Sequence, residues 1–138
     1  MHLFNPRMVS ALVGALLMIV AAMMLINVGV ALYYKEDWQS LLISSGITFA
    51  AGMGLRFINL NNTNREVKKR DGFLIVTLGW VAMAMLGSLP YALSGAIDNI
   101  VDAIFETISG FSTTGATILT DIESQDKSIL FWRSMTHW

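Results

Sequence analysis

Residues 110–119, GFSTTGATIL, place two glycines and four hydroxyl side chains within ten positions of an otherwise apolar chain. Three chemistries use such a pattern. A phosphate-binding loop requires G-x-x-x-x-G-K-[ST]; Gly110, Gly115 and Thr117 match, but Ala116 stands where the lysine must meet the phosphate charge, and the reading fails. A serine-hydrolase elbow requires G-x-S-x-G; Thr114 occupies the last glycine position and the only histidines are His2 and His137, so that reading is set aside too. The third is a re-entrant loop whose backbone carbonyls face an ion. Potassium exchanges hydration oxygens for carbonyl oxygens at little net cost, without the tight binding of a carboxylate. Gly115 opens backbone angles closed to larger residues, and Ser112, Thr113, Thr114 and Thr117 can brace or extend the oxygen array. A polar turn that returns the chain to the surface satisfies the same spacing.

The elements around the loop decide whether an ion could reach it. Hydrophobic residues make up 54% of the 138 and charged residues 14%, too apolar for a soluble fold and suited to the lipid bilayer. The charges fall in blocks. Between Arg7 and Lys35 lie 27 uncharged residues, between Asp37 and Arg56 lie 18, and between Asp71 and Asp98 lie 26. As a helix the first run is about 40 Å long against a hydrocarbon core of about 30 Å, and the other two are also long enough to span. It also exceeds the roughly 7–15 apolar residues of a secretory signal. Net charge is −1, so no broad basic surface points to a nucleic-acid partner, and the charges matter by where they fall. Cysteine is absent, which removes disulfides, thiolate metal sites and cysteine nucleophiles; the nine methionines read as packing or lipid-facing residues.

Arg56, Arg65, Lys68, Lys69 and Arg70 crowd the connection between the second and third spans, whereas the first connection holds only Lys35 beside Glu36 and Asp37. The positive-inside rule therefore predicts a cytoplasmic basic loop, a cytoplasmic N-terminus and a third span that emerges outside near Pro90. The stretch that follows carries Asp98, Asp102, Glu106, Asp121, Glu123 and Asp126, which would draw cations to an entrance or simply form a solvated loop. Small residues at Ala11 and Ala15, at Ala50 and Gly54, and at Gly79, Gly87 and Ser88 predict close helix contacts. Asn61-Asn62-Thr63 matches a glycosylation sequon, but on the cytoplasmic side it reads as chance.

Ser94-Gly95 ends the third helix, and Asp98 is expected to cap the next. Residues 99–109, NIVDAIFETIS, predict a helix of about 16 Å, too short to cross. Ile100, Val101, Ile104, Phe105 and Ile108 form one stripe, and Asp98, Asp102 and Glu106 another. A half-helix that enters from outside, stops at Gly110 and aims its negative end at the ion accounts for both features; an interfacial helix is the alternative.

Residues 102–117, DAIFETISGFSTTGAT, resemble the first pore loop of the TrkH branch of the Trk/Ktr bacterial potassium transporters. Residues 70–76, RDGFLIV, resemble the start of that family's first outer helix, and residues 131–135, FWRSM, the start of its inner helix. The first two spans are similar to the helical pair that precedes the family's pore repeats. The resemblance implies an all-α integral membrane fold, transmembrane helices with a re-entrant pore half-helix and filter loop, the first of four expected pore repeats. Residues 1–70 would be the N-terminal pair with its basic loop, and 71–138 the first repeat with a truncated inner helix. It implies potassium uptake across the bacterial cytoplasmic membrane, this chain supplying one quarter of a carbonyl-lined filter. Ser112, Thr113, Thr114, Gly115 and Ala116 would form the filter strand, with K+ on the carbonyls of Thr113, Thr114 and Gly115. Glu106, Gly110, Thr117 and Arg133 would support it.

The transported K+ is the only ion implied; no covalent cofactor and no catalytic residue is expected. The resemblance further implies the remaining pore repeats, a homodimer and a cytoplasmic nucleotide-binding regulatory subunit, reached through the 56–70 loop unless that loop serves only topology or anionic lipid. The chain departs from the family at His137, where Gln is expected, and stops at Trp138, before the family's Gly-Gly. From Lys127 about 18 Å of helix remains, so the sequence reads as the N-terminal part of a longer protein. A homotetrameric cation channel, disfavoured by the absence of T-V-G-Y-G, and a non-conducting membrane scaffold are the rival readings. Glu106 and Arg133 would each cost about 2.5–3.5 kcal/mol unpaired at a helix centre, so they either pair behind the filter or sit at the water interface.

Overall fold

Each charge-free run is helical, the first two as one helix each and the third as two in succession. The structure, a computed structural model, describes residues 6–58 and 69–138. Its elements are α1 (Pro6–Tyr34), α2 (Gln39–Phe57), α3 (Lys69–Gly87), α4 (Leu89–Ser94), α5 (Ile100–Phe111) and α6 (Lys127–Thr136), with no strand among the described residues. Three helical stretches, Pro6–Tyr34, Gln39–Phe57 and Lys69–Ser94, are long and apolar enough to cross a membrane. His2, Arg65, Lys68 and the Asn61-Asn62-Thr63 sequon lie outside the described residues, while Arg56, Lys69 and Arg70 are found at helix ends, the two last exposed.

α1 and α2 form a hairpin closed at Lys35, whose φ of 58° turns the chain. The two backbones meet at glycines: a Cβ on Gly14 would lie 2.6 Å from the Gly52 carbonyl oxygen, and one on Gly52 would lie 2.8 Å from that of Gly14. The seam therefore differs from the expected alanine spacing. Gly54 faces open space, Ala50 is exposed, and Ala11 and Ala15 are only half-buried. Ser45 Oγ adds a 3.0 Å bond across the seam to the Ala21 carbonyl. Farther along the chain, Gly79 admits Leu16 and Gly87 admits Thr107 and Phe111, so both expected small-residue contacts form.

The core joins the hairpin to the later elements. Val20 and Met24 of α1 meet Tyr91, Ile97, Ala103, Ile129 and Trp132 in one buried cluster. Trp132 is wholly buried, and its Nε1 donates to the Gly87 carbonyl at 3.1 Å, which satisfies the one polar group of the indole. Outside this core, Ile19, Ile26, Ile43, Val76, Val81 and Met85 are exposed, an apolar belt suited to lipid rather than water.

α4 ends on Gly95 at φ 72°, as Ser94-Gly95 predicts. The next cap differs. Asn99, not Asp98, holds the extended backbone and accepts from the Val101 amide at 3.0 Å, and α5 continues to Phe111 instead of stopping at Gly110. Its faces also differ from a simple amphipathic reading. Ala103, Glu106, Thr107, Ser109 and Gly110 are buried, whereas Val101 is 66% and Phe105 46% exposed. α5 packs through its small and polar side because the neighbouring segments supply the hydrogen-bond partners that this side needs.

Candidate functional site

The C-terminus of α5 turns directly into the segment singled out above. Amides of Ser112, Thr113 and Thr114 donate to the carbonyls of Ile108, Gly110 and Ser109 at 2.9, 2.9 and 3.0 Å, so much of the helix end is closed by its own backbone. Thr113 stands at φ 56°, costly for a β-branched residue, and Gly115 at φ 76°. Residues 114–119 then run without helix or strand, and Ser112 through Thr117 are all exposed. Ser112 Oγ and Thr114 Oγ1 lie 2.7 Å apart and brace each other. Ser109 Oγ donates to the Ala116 carbonyl at 2.5 Å. Of the five expected ion-facing residues, Ala116 thus has its carbonyl engaged with α5.

Glu106 fastens the far end of this segment. Thr117 Oγ1 donates to its carboxylate at 3.0 and 3.1 Å, and the Ile118 amide donates to Oε2 at 3.1 Å. Arg133 Nε lies 2.6 Å from Oε1; the glutamate side chain is fully buried and that of the arginine is 21% exposed. One carboxylate therefore ties α5 to both the loop and α6. A buried carboxylate carries a desolvation penalty of several kcal/mol, which this ion pair and set of hydrogen bonds offset.

Gly110 lets α6 approach. A Cβ there would collide with the Thr136 hydroxyl and lie 2.9 Å from Thr136 Cβ. His137 Nδ1 lies 2.7 Å from the Arg133 carbonyl, where its N–H donates to the last turn of α6. Asp98, Asp121 and Glu123 are exposed, and among the described residues no three His, Asp or Glu side chains gather as a metal site.

Trp132 enters the sequence reading only as part of the 131–135 resemblance, with no local sign of its burial, and Glu36 carries no sign of its role at all. Glu36 accepts from the Lys127 and Ser128 amides at 2.8 Å each, capping α6 from the α1–α2 loop. Burial raises its carboxyl pKa, but these amides outweigh burial and hold it below the usual value. Asp126 precedes α6 yet makes no side-chain cap bond; burial and the nearby Glu36 and Asp37 charges push its carboxyl up.

Residues 37–138 match the model of the family described as TrkH, cation transport protein. The Trk system potassium uptake protein TrkH of Halomonas elongata is 36% identical over 134 residues, which cover 96% of this chain and 28% of that protein. The Trk system potassium uptake protein TrkG of Escherichia coli K12 is 27% identical over 139 residues, covering the whole chain and 29% of that protein. The crystal structure of the potassium transporter TrkH from Vibrio parahaemolyticus superposes with a TM-score of 0.86 at 34% identity, over 94% of this chain and 28% of that one. The chain thus spans little more than a quarter of the length of these relatives.

Proposed function

We propose, from the premise that this chain belongs to the TrkH family of cation transport proteins, that it forms part of a potassium-uptake path through the bacterial cytoplasmic membrane. Residues 112–116 supply one quarter of the filter, chiefly through the carbonyls of Thr113, Thr114 and Gly115. The observation that carries this reading is the exposed 112–117 segment fastened at its end by buried Glu106. Such a segment is tolerated at membrane depth only where protein or a watery path satisfies its backbone. The relatives named as potassium uptake proteins supply the ion.

In this reading α1 and α2 are the preceding helical pair, α3 to α6 belong to the first pore repeat, and α5 is the re-entrant pore helix. The N-terminus is cytoplasmic, because Arg56, Lys69 and Arg70 mark the side of the basic loop. Further repeats complete the ring of carbonyls, and a second copy and a nucleotide-binding regulatory subunit complete the assembly.

The test compares potassium and sodium uptake by the full-length gene product in liposomes with that of Gly115→Ser. The native protein prefers potassium and the variant loses the preference at equal insertion. An unchanged preference in Gly115→Ser contradicts the assignment of residues 112–116.

A further inference from the structure

The α1–α2 hairpin precedes the pore repeat in sequence, yet it holds the start of α6. Glu36 places one carboxylate oxygen on each of the Lys127 and Ser128 amides, both at 2.8 Å, across sequence separations of 91 and 92 residues. Asp126, the residue at the capping position, leaves its side chain out of that role. The same loop is itself anchored: Ser40 Oγ bonds to the Asp37 carboxylate and reaches the Leu93 carbonyl at 3.1 Å, and Lys127 Nζ lies 5.7 Å from the centre of the Tyr34 ring.

A charged carboxylate on the first amides of a helix forms charge-assisted bonds and meets the positive end of the dipole. Ile129 and Trp132 pack α6 sideways into the core, and the Trp132 Nε1 bond to the Gly87 carbonyl fixes its middle; the two carboxylate–amide bonds from Glu36 add a directional constraint at its start, where apolar contacts alone are non-directional. Arg133 lies on α6, within two turns of its start, and its Nε bonds to Glu106, which holds Thr117 and Ile118. α6 therefore carries the Glu36 contacts at its start and the Arg133–Glu106 contact within its second turn, and Glu106 in turn holds the segment that follows residues 112–116.

We propose that Glu36 is a positioning residue for ion selection: by fixing the start of α6 it sets where Arg133 holds Glu106, and so where the 112–118 segment stands. This rests on the reading of residues 112–116 as filter. It gives the helical pair outside the pore repeat a role in selectivity beyond membrane anchoring.

The test measures potassium-over-sodium preference per inserted copy of the full-length protein for Glu36→Ala, Glu36→Gln, Arg133→Lys, the Glu36→Ala/Arg133→Lys double variant and Gly115→Ser. The preference falls several-fold in Glu36→Ala and less in Glu36→Gln, which keeps one acceptor. The double variant is no worse than Arg133→Lys alone, because both changes act through the same helix on Glu106. A merely structural role would lower the amount inserted and leave the preference of the surviving protein intact. Native preference in Glu36→Ala beside lost preference in Gly115→Ser overturns the proposal and spares the filter. Additive losses in the double variant also overturn it. If Gly115→Ser retains native preference, the filter reading fails and the role of Glu36 fails with it. If Glu36→Ala does not insert, Glu36→Gln alone and combined with Arg133→Lys is judged by the same criteria.

Discussion

Glu106 bears the largest share of the local organisation, since its buried carboxylate serves Arg133, Thr117 and the Ile118 amide together. Glu106→Gln removes the charge and leaves Arg133 without its ionic partner. Breaking a buried pair costs about 3–5 kcal/mol, and the partial exposure of Arg133 places this pair toward or below the lower figure. A thermal melt of the full-length protein in detergent is expected to shift downward for Glu106→Gln, whereas a melt at the native temperature would contradict the role assigned to the pair. Much at this scale is legible in the residue types alone. Two opposite charges in an apolar setting demand partners, and Gly115 in a polar run signals unusual backbone, which its φ of 76° shows. Gly110 reads in the sequence as a helix stop, which α5 passes by one residue; its actual role, contact with Thr136, depends on a helix 26 positions farther along the chain. Glu36 is illegible for the same reason, because a cap supplied from the far end of the sequence has no local signature.

The N-terminus of α6 shows how charges outside the membrane tune an element. Glu36 has a lowered carboxyl pKa, so the stability that it contributes is present above its ordinary value of 4.5 and is lost as pH falls through the depressed value. Asp126 has a raised pKa, first through burial and then through Glu36 and Asp37, so keeping it charged at neutral pH opposes the folded state. Asp126→Asn is therefore expected to raise the melting temperature slightly at pH 7 and low salt, with the gain shrinking as salt screens the like charges. A lowered melting temperature would contradict the assignment of capping to Glu36 rather than Asp126. The elements themselves follow from charge-free runs and from Gly95, and the differences from expectation lie at boundaries and faces. Asx geometry is available to Asp98 and Asn99 alike, so only the backbone decides between them. Periodicity reveals that α5 has two faces, but in a bilayer either can be covered, and here the polar one is.

At the scale of the whole molecule, the spanning helices carry an outward apolar belt and a groove of about 740 Å³ between α1, α2 and α3, lined by Val9, Val13, Leu55, Leu74, Val81 and Met85 among others. The membrane class and the family likeness are legible in the sequence, since both depend on composition and on contiguous residues. The glycine seam and the contacts of Glu36 with α6 are not, because they arise only when distant helices pack. In the proposed function the carbonyls of Thr113, Thr114 and Gly115 meet the transported ion. The most direct measurement is anomalous diffraction from crystals of the full-length protein grown with thallium or rubidium in place of potassium. An anomalous peak is expected within coordination distance of those carbonyls, weakened when sodium replaces the heavier ion. A protein that transports potassium yet shows its peaks away from residues 112–116 would contradict it.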